Sequence, residues 1–192
     1  PLGNIDHPVR PLAVALAAEA TFVARAMDKD PKHLQMVLKR AVEHKGSSFV
    51  EVYQNCNIFN DGTFDAFTDK AVRADKMVQL EHGKPLRFGK EGQRGIVLDG
   101  LTPKVVEVGE GEGAVGDEAL LVHDEARQDP TLAILLDRMT HPEYPVPVGV
   151  FRCVDRPVYE ELLAEQIDGA VANKGGGDLE ALFASGDTWR VE

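Results

Sequence analysis

The stretch that decides the fold runs from Thr21 to Asn57, "TFVARAMDKDPKHLQMVLKRAVEHKGSSFVEVYQNCN". It opens with a short β-rich run, Thr21 to Ala26. Asp30 then stands where a helix N-cap belongs, Pro31 at the first helical position and Gly46 just past the end. Between them Leu34, Val37, Leu38, Ala41 and Val42 recur at the spacing of one helix face, which predicts a single buried stripe. "SSFVEVYQ" follows as a second strand, with Phe49, Val50 and Val52 supplying its bulk. Two strands joined by one helix of this length are most simply parallel with a right-handed crossover. Such sheets present ligands beyond the carboxyl ends of their strands. Cys56 lies just past such an end, between Asn55 and Asn57.

Working outward, Pro11 to Ala18 reads as a small-residue helical run that covers a sheet face. After Cys56, "IFNDGTFDAFTDK" is turn-rich, with Asp61-Gly62 its tightest point. Ala71 to Leu80 reads as a weaker, mostly polar helix that should be largely solvated. From Pro85 to Val108 short β segments alternate with turns, a small meander forming a subdomain or an extended arm. Gly109 to Asp117 is a glycine and glutamate linker. A short helix over Thr131 to Met139 is capped by Asp129 ahead of Pro130. Val148 to Val154 forms another strand, and a helix opens near Pro157. The glycine-broken tail depends for its order on docking Leu179, Leu182, Phe183 and Trp189. No internal repeat is present.

Composition narrows the function class. A chain of 192 residues can bury a real core, and its 43% apolar and 28% charged residues are ordinary globular values. Its formal charge of −11 repels phosphate backbones and anionic lipid heads, which argues against a nucleic-acid or membrane partner. No apolar run could span a bilayer and no signal-peptide layout opens the chain, so a cytoplasmic location is expected. The first residue is Pro1, which suggests a processed, trimmed or partial chain.

Most local motifs are bland. Gly111, Gly113 and Gly116 satisfy G-x-G-x-x-G after a strand, but Glu110 and Glu112 would repel a pyrophosphate, so an acidic linker is the better reading. The six histidines show no metal-pair spacing, and no nucleophile elbow or P-loop occurs, so no catalytic residue is assigned. Lys84, Arg87, Lys90 and Arg94 form a basic cluster, ordinarily a solvated face. Two cysteines without a C-x-x-C encode neither a disulfide framework nor a complete zinc site. Cys153, inside a strand pattern, reads as a small core residue. Cys56, past its strand and among turn residues, is open between a structural thiol, a metal ligand and a nucleophile.

"ATFVAR", "KHLQMVLKRAVEHKGSSFVEVYQNCNIFNDG", "LEHGKPLRFG", "GVFRCVDRPVYEELLAEQ" and the closing "DTW" together resemble the β subunit of 2-oxoacid:ferredoxin oxidoreductases, most closely the two-subunit 2-oxoglutarate type. The resemblance runs over nearly the whole chain in order. It implies an α/β fold: residues 1–69 as the C-terminal part of a thiamine-diphosphate-binding domain with a parallel sheet, and residues 70–192 as a C-terminal extension with a small β meander and short helices. It implies an oxidoreductase performing coenzyme A-dependent oxidative decarboxylation of a 2-oxoacid to acyl-CoA, CO2 and reduced ferredoxin. The partners would be an α subunit and ferredoxin, and the cofactors thiamine diphosphate with Mg2+ and a [4Fe-4S] cluster. The cysteine after this strand resembles the family's fourth cluster ligand, which here is Cys56; soft thiolates are what such clusters require. The family's C-x-x-C pair, third cysteine and G-D-G motif do not occur here, so the chain looks like the C-terminal portion and is not expected to hold cluster or diphosphate alone. Ferredoxin docking at the Lys84 to Arg94 cluster is a further expectation. The alternatives are a non-catalytic assembly segment and a thiol-dependent enzyme using Cys56.

Overall fold

The structure, a computed structural model, describes residues 5–187, 189 and 191. Residue 188, which carries part of the quoted resemblance, lies outside them. The chain falls into two units, residues 1–155 and 156–192.

The first unit begins with α1 (Pro11–Ala17), β1 (Phe22–Met27), α2 (Pro31–Glu43) and β2 (Ser48–Tyr53). Two single helical turns, α3 (Asp65–Thr68) and α4 (Arg73–Lys76), lead into β3 (Met77–Leu80). Three short strands follow, β4 (Arg87–Phe88), β5 (Arg94–Asp99) and β6 (Thr102–Glu107), and then α5 (Thr131–Arg138) and β7 (Val146–Cys153). β1 and β2 are parallel, in register from Phe22 with Ser48 to Met27 with Tyr53, as the strand–helix–strand reading requires. β7 inserts on the other side of β1, antiparallel to it and parallel to β3, giving the order β2-β1-β7-β3. Strands therefore come from both sides of the 69/70 boundary that the resemblance suggests.

The helix between β1 and β2 starts where its punctuation says, with the Asp30 carboxylate accepting from the His33 N–H at 3.2 Å. Its buried stripe is narrower than the periodicity predicts. Leu34, Val37 and Ala41 pack on Phe22, Ala24 and Val150, whereas Leu38 and Val42 are 44% and 85% exposed. The reason is that the sheet ends at β2, so nothing described lies under that flank of the helix. On the opposite sheet face α1 buries Leu12 and Leu16, and α5 buries Leu136, against Val23, Val78 and Phe151.

The expected polar helix over Ala71 to Leu80 is corrected: its helical part is α4 alone, and Met77, Val78 and Leu80 are buried in β3, with Gln79 exposed between them. Pairing with β7 overrides a weak helical pattern in so short a segment, because alternating bulk fits a half-buried strand. The meander is present as the antiparallel sheet β4-β5-β6, closed between Asp99 and Thr102 by Gly100 at φ +61°, a left-handed turn position that suits glycine. The G-x-G-x-x-G segment runs into a three-residue 3-10 turn, Asp117–Ala119, and so lacks the long helix whose N-terminus would face a phosphate.

The second unit holds α6 (Tyr159–Lys174) and α7 (Leu179–Phe183), the latter capped by Asp178, which accepts from Glu180 and Ala181 N–H at 2.9 and 3.1 Å. Leu179, Leu182, Phe183 and Trp189, from which docking is expected, are all exposed. None of the described helices is long and apolar enough to cross a membrane.

Candidate functional site

The carboxyl ends of β1 and β2 are tied together by main chain and one carboxylate. Asp28 donates its N–H to Tyr53 O at 3.0 Å, and its side chain accepts the N–H of Asn55 at 3.0 Å. Asn55 then clamps the loop that follows, donating from Nδ2 to Asp61 Oδ1 and accepting from Gly62 N–H, both at 2.9 Å. Inside that clamp Cys56 and Asn60 form a one-residue bridge, with Asn60 N–H on Cys56 O at 2.8 Å. The loop is thus wound tightly enough to turn the N–H groups of Phe59, Ile58 and Asn60 toward the Cys56 sulfur, and these hold its thiol below the ordinary value. The sulfur is partly exposed, and Ile58 and Phe59 beside it stand 81% and 89% exposed. A thiol that ionises easily and is lined by N–H donors is suited to a soft metal or a cluster iron.

Beneath the loop, Tyr53 stacks on Phe64 with centroids 4.8 Å apart and meets Phe67 edge-on at 5.6 Å. The Arg25 guanidinium lies over the Tyr53 ring, 5.1 Å from its centroid. Arg25, only 4% exposed, donates to Glu51 Oε2 at 2.6 Å and to Asp137 Oδ1 at 2.8 Å. Arg10 adds a bond to Asp137 O at 2.7 Å. Lys29 spans Asp65 and Asp69, with its Nζ 2.6 Å from each, and fixes the turn of α3 beside the site. The sequence reading missed this buried network; its visible signal is an arginine in the middle of "FVARAM", where a strand buried at every position obliges a charge to find a partner.

Cys153 is elsewhere. It pairs with Phe22 at the start of β1, about 16 Å of strand away from the end that Cys56 follows. It is half-buried, burial pushes its thiol up, and its sulfur lies 3.9 Å from His44 Nδ1. His44 thus approaches the Cys153 thiol. Among the described residues no three His, Cys, Asp or Glu side chains group as a metal site. A cluster bound through Cys56 would need its remaining ligands, and thiamine diphosphate its Mg2+ ligands, from other residues. In the basic cluster, Arg87 donates to Asp117 at 2.9 Å and Arg94 to Asp75 at 2.7 Å, so half of its charge is compensated.

No protein-family model matches the chain. It is 36% identical over 195 residues to the 2-oxoglutarate oxidoreductase subunit KorB of Mycobacterium tuberculosis, an alignment covering 100% of this chain and 51% of that relative. The chain thus spans about half the length of that curated relative. It is 39% identical over 72 residues to the 2-oxoacid:ferredoxin oxidoreductase subunit beta of Saccharolobus solfataricus, covering 38% of this chain and 24% of the relative. Among solved structures, 2-oxoglutarate:ferredoxin oxidoreductase from Magnetococcus marinus, with 2-oxoglutarate, coenzyme A and succinyl-CoA bound, superposes with a TM-score of 0.58 at 20% identity, covering 98% of this chain and 48% of that one. At that identity the superposition establishes the fold.

Proposed function

We propose that this chain, a relative along its whole length of the β subunits of 2-oxoacid:ferredoxin oxidoreductases, serves as the C-terminal portion of such a subunit and contributes one cluster ligand, Cys56. The observation that carries the reading is the 36% identity extending over the entire chain. Within it, residues 1–69 complete a thiamine-diphosphate-binding domain and residues 70–192 form the extension. The substrate favoured is 2-oxoglutarate with coenzyme A, the products succinyl-CoA, CO2 and two electrons passed to ferredoxin, and the structural partner is an α subunit. Thiamine diphosphate with Mg2+ would supply the carbon chemistry and the [4Fe-4S] cluster the electron exit. This chain's own part is narrower. The Asp28 and Asn55 bonds hold the loop, the loop's N–H groups favour the Cys56 thiolate, and Tyr53 with Arg25 forms the floor that keeps the loop in place.

The test is Cys56→Ser, with Cys153→Ser as control, in the complete oxidoreductase. The expected result is loss of visible cluster absorbance and of 2-oxoglutarate-dependent ferredoxin reduction for Cys56→Ser only. Retention of both in Cys56→Ser would favour an assembly role instead. For ferredoxin, reversing Lys84 and Lys90 should slow its reduction at low salt and have little effect at high salt, because docking between opposite charges is screened.

A further inference from the structure

Between the start of α1 and the end of α5 the surface opens into a recess of about 360 Å³. Three basic side chains line it, His7, Arg10 and Arg138, together with the small apolar surfaces of Ala13, Val14 and Ala17. No carboxylate belongs to that lining among the described residues. Arg10 is anchored through Asp137, donating to its main-chain O at 2.7 Å and lying 3.7 Å from its Oδ2. The charge of Asp137 is engaged elsewhere, since its Oδ1 accepts from the buried Arg25 at 2.8 Å. The side chains of Arg138 and His7 are exposed and, among the described residues, neither has a hydrogen-bond or ion-pair partner.

Other arginines of this chain meet carboxylates: Arg40 pairs with Glu125, Arg87 with Asp117, Arg94 with Asp75 and Arg152 with Glu19. With 32 aspartates and glutamates against 21 lysines and arginines, such partners are plentiful. Two guanidiniums in one recess whose contacting carboxylate is already committed therefore mark a place where an anion from outside is stabilised. Its position agrees with that. Asp137, next to Arg138, bonds Arg25 two residues before the end of β1, so the recess lies toward the carboxyl end of that strand, where sheets of this kind take their ligands.

The geometry points to a phosphate-binding site in this recess, with Arg10 and Arg138 as its charged donors and His7 as a further ring N–H. An oxyanion suits unpaired guanidiniums because their planar forks meet two oxygens at once. Phosphate suits this set better than a carboxylate does: a terminal phosphate presents three oxygens, one for each basic group, and a carboxylate presents two. The same group is offered by free phosphate and, on the reading of the chain as part of an oxidoreductase, by coenzyme A. The site itself stands on the recess and its unpaired charges and does not rest on that reading.

The test is the rate at which phenylglyoxal labels Arg138 in the complete oxidoreductase, read by peptide mass spectrometry at constant ionic strength, with the exposed Arg127 as reference. Replacing chloride by inorganic phosphate at about 10 mM should slow the labelling of Arg138 at least about threefold, a Kd of about 5 mM or tighter, and leave Arg127 unchanged. Val14→Asp, at a recess side chain 58% exposed, should remove the protection. Leu101→Asp, the same charge change at an 80% exposed position between β5 and β6, should keep it. Equal labelling with and without phosphate would overturn the inference, as would protection that survives Val14→Asp. An Arg138 that is not labelled at all would also overturn it, because the recess would then be closed in the assembly. So would 2-oxoglutarate protecting as well as phosphate at the same concentration, which would make this a carboxylate site. Given protection by phosphate, coenzyme A acting at concentrations at least about 100-fold lower confirms the site with that substrate as its ligand, and weaker action confirms it with free phosphate, apart from the oxidoreductase reading.

Discussion

Replacing Asp137 by alanine tests how far the charges at the centre of the sheet hold it together. Asp137 is 1% exposed and its Oδ1 accepts from Arg25 at 2.8 Å, with Arg25 itself 4% exposed. Without Asp137 the guanidinium keeps one carboxylate, Glu51 at 2.6 Å, whose side chain is 16% exposed. Breaking a buried pair from one side costs about 3–5 kcal/mol, because the surviving charge stays desolvated. Glu51 and the rings of Tyr53 and Phe151, each 5.1 Å from the guanidinium, soften that cost and place the expected loss near its lower end, about 3 kcal/mol. Against a domain stability of about 5–15 kcal/mol this is a large share. Removing both charges, Arg25→Met with Asp137→Leu, takes the unpaired ion out of the interior and should cost less than Asp137→Ala alone. The assay is urea unfolding followed by far-ultraviolet circular dichroism, reading the midpoint at constant slope. A loss under about 1 kcal/mol for Asp137→Ala, or a double variant weaker than the sum of its singles, would refute the reasoning.

Three further outcomes are expected. His123 is fully buried with Nε2 on Val150 O at 2.7 Å and its Nδ1 without a partner, and burial holds its pKa below 6.5. The unfolded chain therefore takes the proton first, so this contribution to stability is complete above pH 6.5 and falls as pH drops below it; urea midpoints at neutral and mildly acid pH should diverge more in the wild type than in His123→Asn, and equal divergence counts against it. Gly149, at φ +125° in β7, would carry a Cβ 2.8 Å from Leu80 O, so Gly149→Ala should destabilise by about 1–3 kcal/mol in thermal melts, and a neutral result would show that β3 can move aside. Iodoacetamide near neutral pH should label Cys56 before Cys153, since loop N–H groups lower the one thiol and burial raises the other; peptide mapping that finds Cys153 labelled first contradicts the assignment.

What the sequence made legible is local. Asp30, Pro31 and the apolar spacing of 34–41 act within one helix, and Gly100 within one turn, so their chemistry shows in adjacent letters. The placement of β7 between β1 and β3 depends on pairings more than fifty residues apart and leaves no local sign, which is also why Met77–Leu80 reads as the end of a polar helix. Arg152 shows the same limit: it is 1% exposed and donates to Ala20 O and Gln128 O at 2.8 Å each, bonds to carbonyl groups that no side-chain pattern can announce. Position alone made Cys56 a candidate, because strand ends in such sheets present ligands. The reason its thiol ionises easily lies in main-chain N–H directions, which depend on how the loop closes.

That dependence also decides which part of the site governs it. Asp28 and Asp61 bond the Asn55 that opens the Cys56 loop, and the chain as a whole carries −11, charges that disfavour an added negative charge nearby. Lys29 is held between Asp65 and Asp69. Backbone hydrogen bonds from Phe59, Ile58 and Asn60 nonetheless hold the Cys56 thiol below its ordinary value. Main-chain N–H groups therefore favour the thiolate at this position, and they do so only while the loop keeps its winding. Asn55 maintains that winding through Asp61 and Gly62, and Gly62 sits at φ +74°, a conformation that a residue with a side chain adopts at a cost. The ease with which the Cys56 thiol ionises thus resides in Asn55 and Gly62 as much as in the sulfur, because they close the loop whose N–H groups face it.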